Sequence, residues 1–121
     1  MRTFLSLAFL CIASISTLAA SPQLQLITIK EPFDSHSLSG TVTDPSGAGR
    51  YGVLVEECED GWKACFAQTR TDRNGHFSWR HAKKGKHYLR LSQDGFDPTQ
   101  ITVIIDKNSK ADIRLELELA T

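Results

Sequence analysis

Along the C-terminal stretch of the chain, apolar and polar residues alternate one for one. Ile113, Leu115, Leu117 and Leu119 are separated by Arg114, Glu116 and Glu118, and Ile101, Val103 and Ile105 repeat the pattern upstream. A period of two places apolar side chains on one face of an extended strand and charged ones on the other. The same alternation predicts strands over 37–43, 52–58, 62–71, 75–80 and 86–92, and no window beyond the leader has helical spacing. Between the strands fall turn clusters: DPSG at 44–47, EDG at 59–61, DRNG at 72–75, KKG at 83–85, QDG at 93–95 and DKNSK at 106–110. Glycine supplies the positive φ of tight turns, and Asp or Asn bonds its own backbone. Seven short strands so punctuated predict an all-β chain stacked as a two-layer sandwich.

The first twenty residues break this pattern and have the layout of an export signal. Arg2 opens it, residues 4–18 carry no charge, and Ala19 and Ala20 offer small residues for cleavage. That apolar run falls short of the roughly 20 residues of a membrane-spanning helix, so a secreted or periplasmic protein with no membrane span is expected. About 101 residues then remain, room for one domain able to bury roughly two-thirds of its unfolded surface. Residues 21–36 lie between the leader and the first clear strand: Leu24 and Leu26 favour an extra strand there, while Pro22 and Pro32 favour a tether.

The chain carries 14 Lys and Arg against 14 Asp and Glu, and removal of Arg2 leaves thirteen basic residues. Such balance argues against a nucleic-acid partner, whose phosphates demand many unpaired cations. Cys11 belongs to the leader. Cys58 and Cys65 remain, and in an oxidising compartment a disulfide is the first reading. Two free thiols or part of a metal site are the alternatives, the latter lacking a CxxC spacing and further soft ligands.

The stretch TDRNGHFSW at 71–79 admits two meanings. As a helix-loop-helix calcium loop opening at Asp72 it would need glycine at position six and glutamate at twelve, where Phe77 and Lys83 stand. Asn74-Gly75 between alternating segments is instead a hairpin signal, with Phe77 and Trp79 on one face of the strand that follows.

These residues also carry a resemblance. SGTVTDPSG at 39–47, T-x-T-D-x-x-G-x-F-x-W at 69–79, GKHYLRL at 85–91 and DGF at 94–96 together resemble the carboxypeptidase regulatory-like domain of bacterial exported proteins. The resemblance covers residues 37–121 and implies a seven-stranded Greek-key β-sandwich of the transthyretin (prealbumin) type. Where that family usually has an aromatic residue, His87 stands beside Tyr88; if Leu89 and Leu91 point inward, so does His87.

No catalytic residue, metal ligand or cofactor is expected. His36, His76, His81 and His87 form neither HxH nor HExxH spacing, and no G-x-S-x-G is present. Other transthyretin-like folds include enzymes, but the terminal motif of hydroxyisourate hydrolases and the tyrosine and paired-histidine iron ligands of intradiol dioxygenases have no counterpart. An isopeptide bond of the adhesin type would need a lysine in the strand SLSGTVT, which has none. Such an enzyme is the third reading. The first two are a carbohydrate-recognising and a protein-binding module, the partner being an unidentified polysaccharide or protein of the cell envelope. The candidate binding residues are Trp62, at the tip of the hairpin that the cysteines would close, and Arg80, Lys83, Lys84 and Lys86. Those four belong to a basic block at 80–90 that contrasts with the acidic EECED at 56–60.

Overall fold

The computed structural model describes residues 24–79 and 82–121. The expected export signal and the candidate binding residue Arg80 lie outside them. Among the described residues there are nine strands and no helix, and hence no helix long and apolar enough to cross a membrane.

Seven of the strands are those that alternation predicts: β3 (Ser39–Thr43), β4 (Leu54–Cys58), β5 (Cys65–Arg70), β6 (His76–Ser78), β7 (Gly85–Ser92), β8 (Thr99–Ile105) and β9 (Ile113–Glu116). The other two, β1 (Ile27–Thr28) and β2 (Phe33–Ser35), come from the segment that could have been a tether. Both pair in parallel with β8, Ile27 opposite Thr99 and Phe33 opposite Val103. Pro32 lies between them and lacks the N–H needed to continue the ladder.

The strands form two sheets. The larger runs β1-β8-β7-β4-β5, with β2 also on β8, and the smaller runs β6-β3-β9. Their facing sides make the core. Val53, Val55, Leu89, Leu91, Ile101 and Val103 from the large sheet and Leu38, Val42, Ile113 and Leu117 from around the small one are fully buried. Each such side chain contributes on the order of 1.5–3 kcal/mol on leaving water. Trp79 meets the Phe77 ring edge-on at 6.3 Å between centroids and packs partly buried against this cluster.

Two expectations need correction. Leu119 was expected on the apolar face but is 57% exposed. The ladder between β3 and β9 ends at Thr43 and Glu116, and Leu117 makes the last backbone bond to Thr43. Beyond it the chain turns toward Phe96 and the alternation has no sheet left to follow. The hairpin at Asn74-Gly75 also differs from expectation. Its turn closes, with Gly75 N–H on the Asp72 carbonyl and Asp72 N–H on the His76 carbonyl, both at 2.9 Å. Its two arms nevertheless enter different sheets, because β6 pairs with β3 and β5 with β4. The turn is a crossover between layers.

Backbone contact decides two glycines. A Cβ on Gly40 would lie 2.5 Å from the Ile113 carbonyl oxygen and 2.6 Å from its Cβ, so β3 and β9 approach in parallel only because that atom is missing. Gly75 has φ +84°, and a Cβ there would lie 2.4 Å from the Val42 carbonyl oxygen. Around this point Val42 N–H donates to the Gly75 carbonyl at 2.8 Å and Arg50 N–H to the Val42 carbonyl at 2.9 Å. Three segments therefore meet backbone to backbone.

The Cys58–Cys65 disulfide is formed and closes the β4–β5 turn. So small a loop removes roughly 2–2.5 kcal/mol of unfolded-state freedom in the chain-entropy picture, a staple beside the much larger burial term.

Gly40→Ala is expected to lower stability in urea by about 2–3 kcal/mol through overpacking of β3 against β9; an unchanged midpoint would contradict the close approach. A second expectation concerns acid. Bonds from the backbone N–H groups of His76 and Asn74 hold the Asp72 carboxyl below its ordinary pKa, and a bond from the Ser46 hydroxyl does the same for Asp44. A depressed folded pKa means stability present above the unfolded value and lost as pH falls through the folded one. Acid should therefore weaken the protein below about pH 4, and Asp72→Asn should flatten that limb in thermal melts from pH 5 to pH 2.

Candidate functional site

A cleft of about 800 Å³ opens at the end of the large sheet where β7 runs into the β7–β8 loop. Leu54, Arg70 and Ser92 come from β4, β5 and β7, which are adjacent in the sheet. Leu24, Phe96 and Pro98 supply apolar surface, and Arg50, Gln93 and Asp94 enter from the two loops at this end.

Arg50 is held on three sides. Its Nε donates to Gln93 Oε1 at 3.0 Å, its guanidinium carbon lies 5.2 Å from the centre of the Phe96 ring, and its Nη1 stands 3.8 Å from Asp44 Oδ2. The last distance is an ion pair without a hydrogen bond, while the ring contact adds a cation–π attraction. Gln93 is itself fixed by donating to the Tyr51 carbonyl at 2.7 Å. From the other side Arg70 donates to the Gly52 carbonyl at 3.1 Å. Among the described residues no carboxylate lies within ion-pair distance of Arg70.

Beneath this loop sits buried Thr71. Its hydroxyl donates to the Arg50 carbonyl and accepts from Val53 N–H at 2.9 Å, while its backbone exchanges bonds with Gly52 and Val53. Every polar group of Thr71 is thus used to fix residues 50–53, which carry Arg50 at the cleft. Nothing in local alternation marks Thr71 for this part, since its partners are about twenty positions upstream in sequence.

The candidate binding residues lie elsewhere. Lys83, Lys84 and Lys86 are exposed at the start of β7, and Lys86 is about 20 Å along the strand from Ser92 at the cleft. Trp62 is half-buried: its indole N–H donates to the Leu89 carbonyl at 3.0 Å and its ring meets Tyr88 edge-on at 5.6 Å. It also has φ +58°, uncommon for a residue with a side chain. Arg70 and Arg50, which line the cleft, were not among the sequence candidates.

Part of the segregated charge cancels across β4 and β7. Arg90 pairs with Glu56 at 3.1 Å, and His87 Nδ1 lies 2.7 Å from Glu57 Oε2. His87 shares the inward face with Leu89 and Leu91, as expected, and its Nε2 meets the Lys83 carbonyl at 2.6 Å. These two contacts tie the β6–β7 connection to β4. Among the described residues no group of three His, Cys, Asp or Glu side chains is placed to hold a metal ion.

A two-layer β-sandwich with a solvent-open, arginine-bearing cleft defines a class of architecture. Residues 37–118 match the carboxypeptidase regulatory-like domain, and the chain belongs to that family. No curated protein matches it. Among solved structures it is similar to 3-chlorocatechol 1,2-dioxygenase from Rhodococcus opacus 1CP, at 14% identity and a TM-score of 0.44, covering 89% of this chain and 70% of that one. So distant a likeness bears on neither activity nor ligand.

Thr71→Val keeps the shape and deletes the hydroxyl, leaving Val53 N–H buried without its partner. A loss of about 1–3 kcal/mol in urea unfolding is expected, with Thr71→Ser retaining most of the stability; equal stability of the two variants would contradict the assigned hydrogen bonds.

Proposed function

We propose that the chain is an exported, non-catalytic binding or scaffolding module whose ligand occupies the cleft at Arg50 and Arg70, with carbohydrate as the ligand class. The observation that carries this reading is the cleft itself: side chains from three adjacent strands and two loops converge there, with the Arg50 guanidinium immobilised by Gln93 and Phe96. A fixed polar group beside apolar surface is the ordinary composition of a binding site. An open cleft suits a segment of a polymer, which must enter and leave sideways. The disulfide and the family are compatible with a location outside the cytoplasm.

A second reading, a protein-binding module, is favoured by Phe66. It is 64% exposed on β5, the edge strand of the large sheet, whose outer backbone groups have no neighbouring strand among the described residues.

Affinity electrophoresis of the mature protein through gels containing neutral or acidic polysaccharides separates the two. Retardation by at least one polymer, with the polymer's chain length unchanged after incubation, is the expected result. Absence of retardation in every gel, together with a stoichiometric complex with one envelope protein that Phe66→Ala abolishes, would replace carbohydrate by the protein reading.

A further inference from the structure

We infer that the cleft selects a polysaccharide bearing carboxylates, with Arg50 and Arg70 as the anion-binding pair. This rests on the carbohydrate reading above and adds to it the chemistry of the sugar. Guanidinium is a planar fork of donors matched to carboxylate, and holding it in place lowers the ordering cost of binding. Arg50 spends its Nε on Gln93 and rests on Phe96, which leaves its terminal nitrogens free of any hydrogen bond among the described residues. Arg70 uses one donor of Nη1 on the Gly52 carbonyl and has no carboxylate in ion-pair range among the described residues. Arg70 binds the Gly52 carbonyl in the loop that carries Arg50, and both side chains line one cleft. Asp94 lines the same cleft, so two positive groups face one negative group there, and Asp44 offsets Arg50 from outside it. Counting Asp44, these four charges balance, and Arg70 is a cation that makes no ion pair among the described residues.

The exposed lysines make a contrasting case. Lys83, Lys84 and Lys86 make no ion pair among the described residues and stand at the opposite end of β7. They are hydrated point charges on flexible stems, suited to weak general attraction and poor at discriminating a carboxylate. The geometry therefore places selectivity at the arginines and away from the basic block that dominates the sequence.

The test compares polygalacturonate with the same polymer fully methyl-esterified, which keeps the sugar rings and removes the charge. Retardation by the acid form is expected to be at least about tenfold stronger than by the ester. Arg70→Gln is expected to remove about tenfold of it, and Arg70→Lys to lie between. Lys83→Gln, Lys84→Gln and Lys86→Gln together should leave it within about twofold. Dextran sulfate, which offers charge without carboxylate geometry, should bind more weakly than polygalacturonate. Thermal melts of each variant verify folding; Arg70 is chosen because its structural commitment is a single bond to Gly52, whereas Arg50 is packed on Phe96. Equal binding of acid and ester, retention unaffected by Arg70→Gln, loss on changing the three lysines, or stronger binding to dextran sulfate would each overturn the inference. Retardation by neutral polymers alone overturns it while leaving the carbohydrate reading in place; retardation by none removes both.

Discussion

The small sheet depends on β3 coming within backbone distance of its neighbours on both sides. On one side Gly40 leaves room for Ile113 of β9; on the other Val42 exchanges backbone bonds with Gly75 and Arg50. Both contacts are close because a Cβ is absent, and both are edgewise, so neither can be replaced by packing of larger side chains. Were β3 displaced, the inward faces of β4, β7 and β8 would meet water. Those faces hold Val53, Val55, Leu89, Leu91, Ile101 and Val103, and their exposure would cost more than a domain of this size has to spare.

The same junction builds the cleft. Residues 72–75 carry the chain from the large sheet to the small one, and this crossover ends β5 at Arg70 and brings Thr71 beneath the loop at 50–53. Thr71 then holds the loop that carries Arg50, while Arg70 reaches the Gly52 carbonyl from the strand side. A constraint needed for stacking two sheets thus also brings two arginines to one cleft. In a β-sandwich the loops at the sheet ends vary more readily than the frame, and binding residues on such loops are positioned by that frame.

Charge is instructive for a different reason. The acidic run 56–60 and the basic run 80–90 look like two interaction surfaces when read along the chain. β4 and β7 are adjacent and antiparallel, so Glu56 faces Arg90 and Glu57 reaches His87. Partly exposed pairs of this kind contribute about 0–1 kcal/mol each, and their larger effect is to remove charge that would otherwise be free to recognise a partner. Among the described residues, Glu59 and Asp60 of the acidic run and Lys83, Lys84 and Lys86 of the basic run make no ion pair.

Period-two alternation and the Gly and Asx turns determined, from sequence alone, the all-β class, seven of the nine strands among the described residues and the family, and the cysteine pair made a disulfide the first reading. Those signals are local: each depends on residues within a few positions, where strand geometry and turn chemistry act directly. Tertiary structure alone decided that β1 and β2 line the outer edge of β8, that the Asn74-Gly75 turn leads into a different sheet, and that Leu119 leaves the core face. It also decided the cleft, because Arg50, Arg70 and Gln93 are brought together by pairings among β4, β5 and β7 whose partners lie far apart in the chain. The long-range choice of neighbour follows from which buried faces fit and which backbones can approach, and no run of adjacent residues records it.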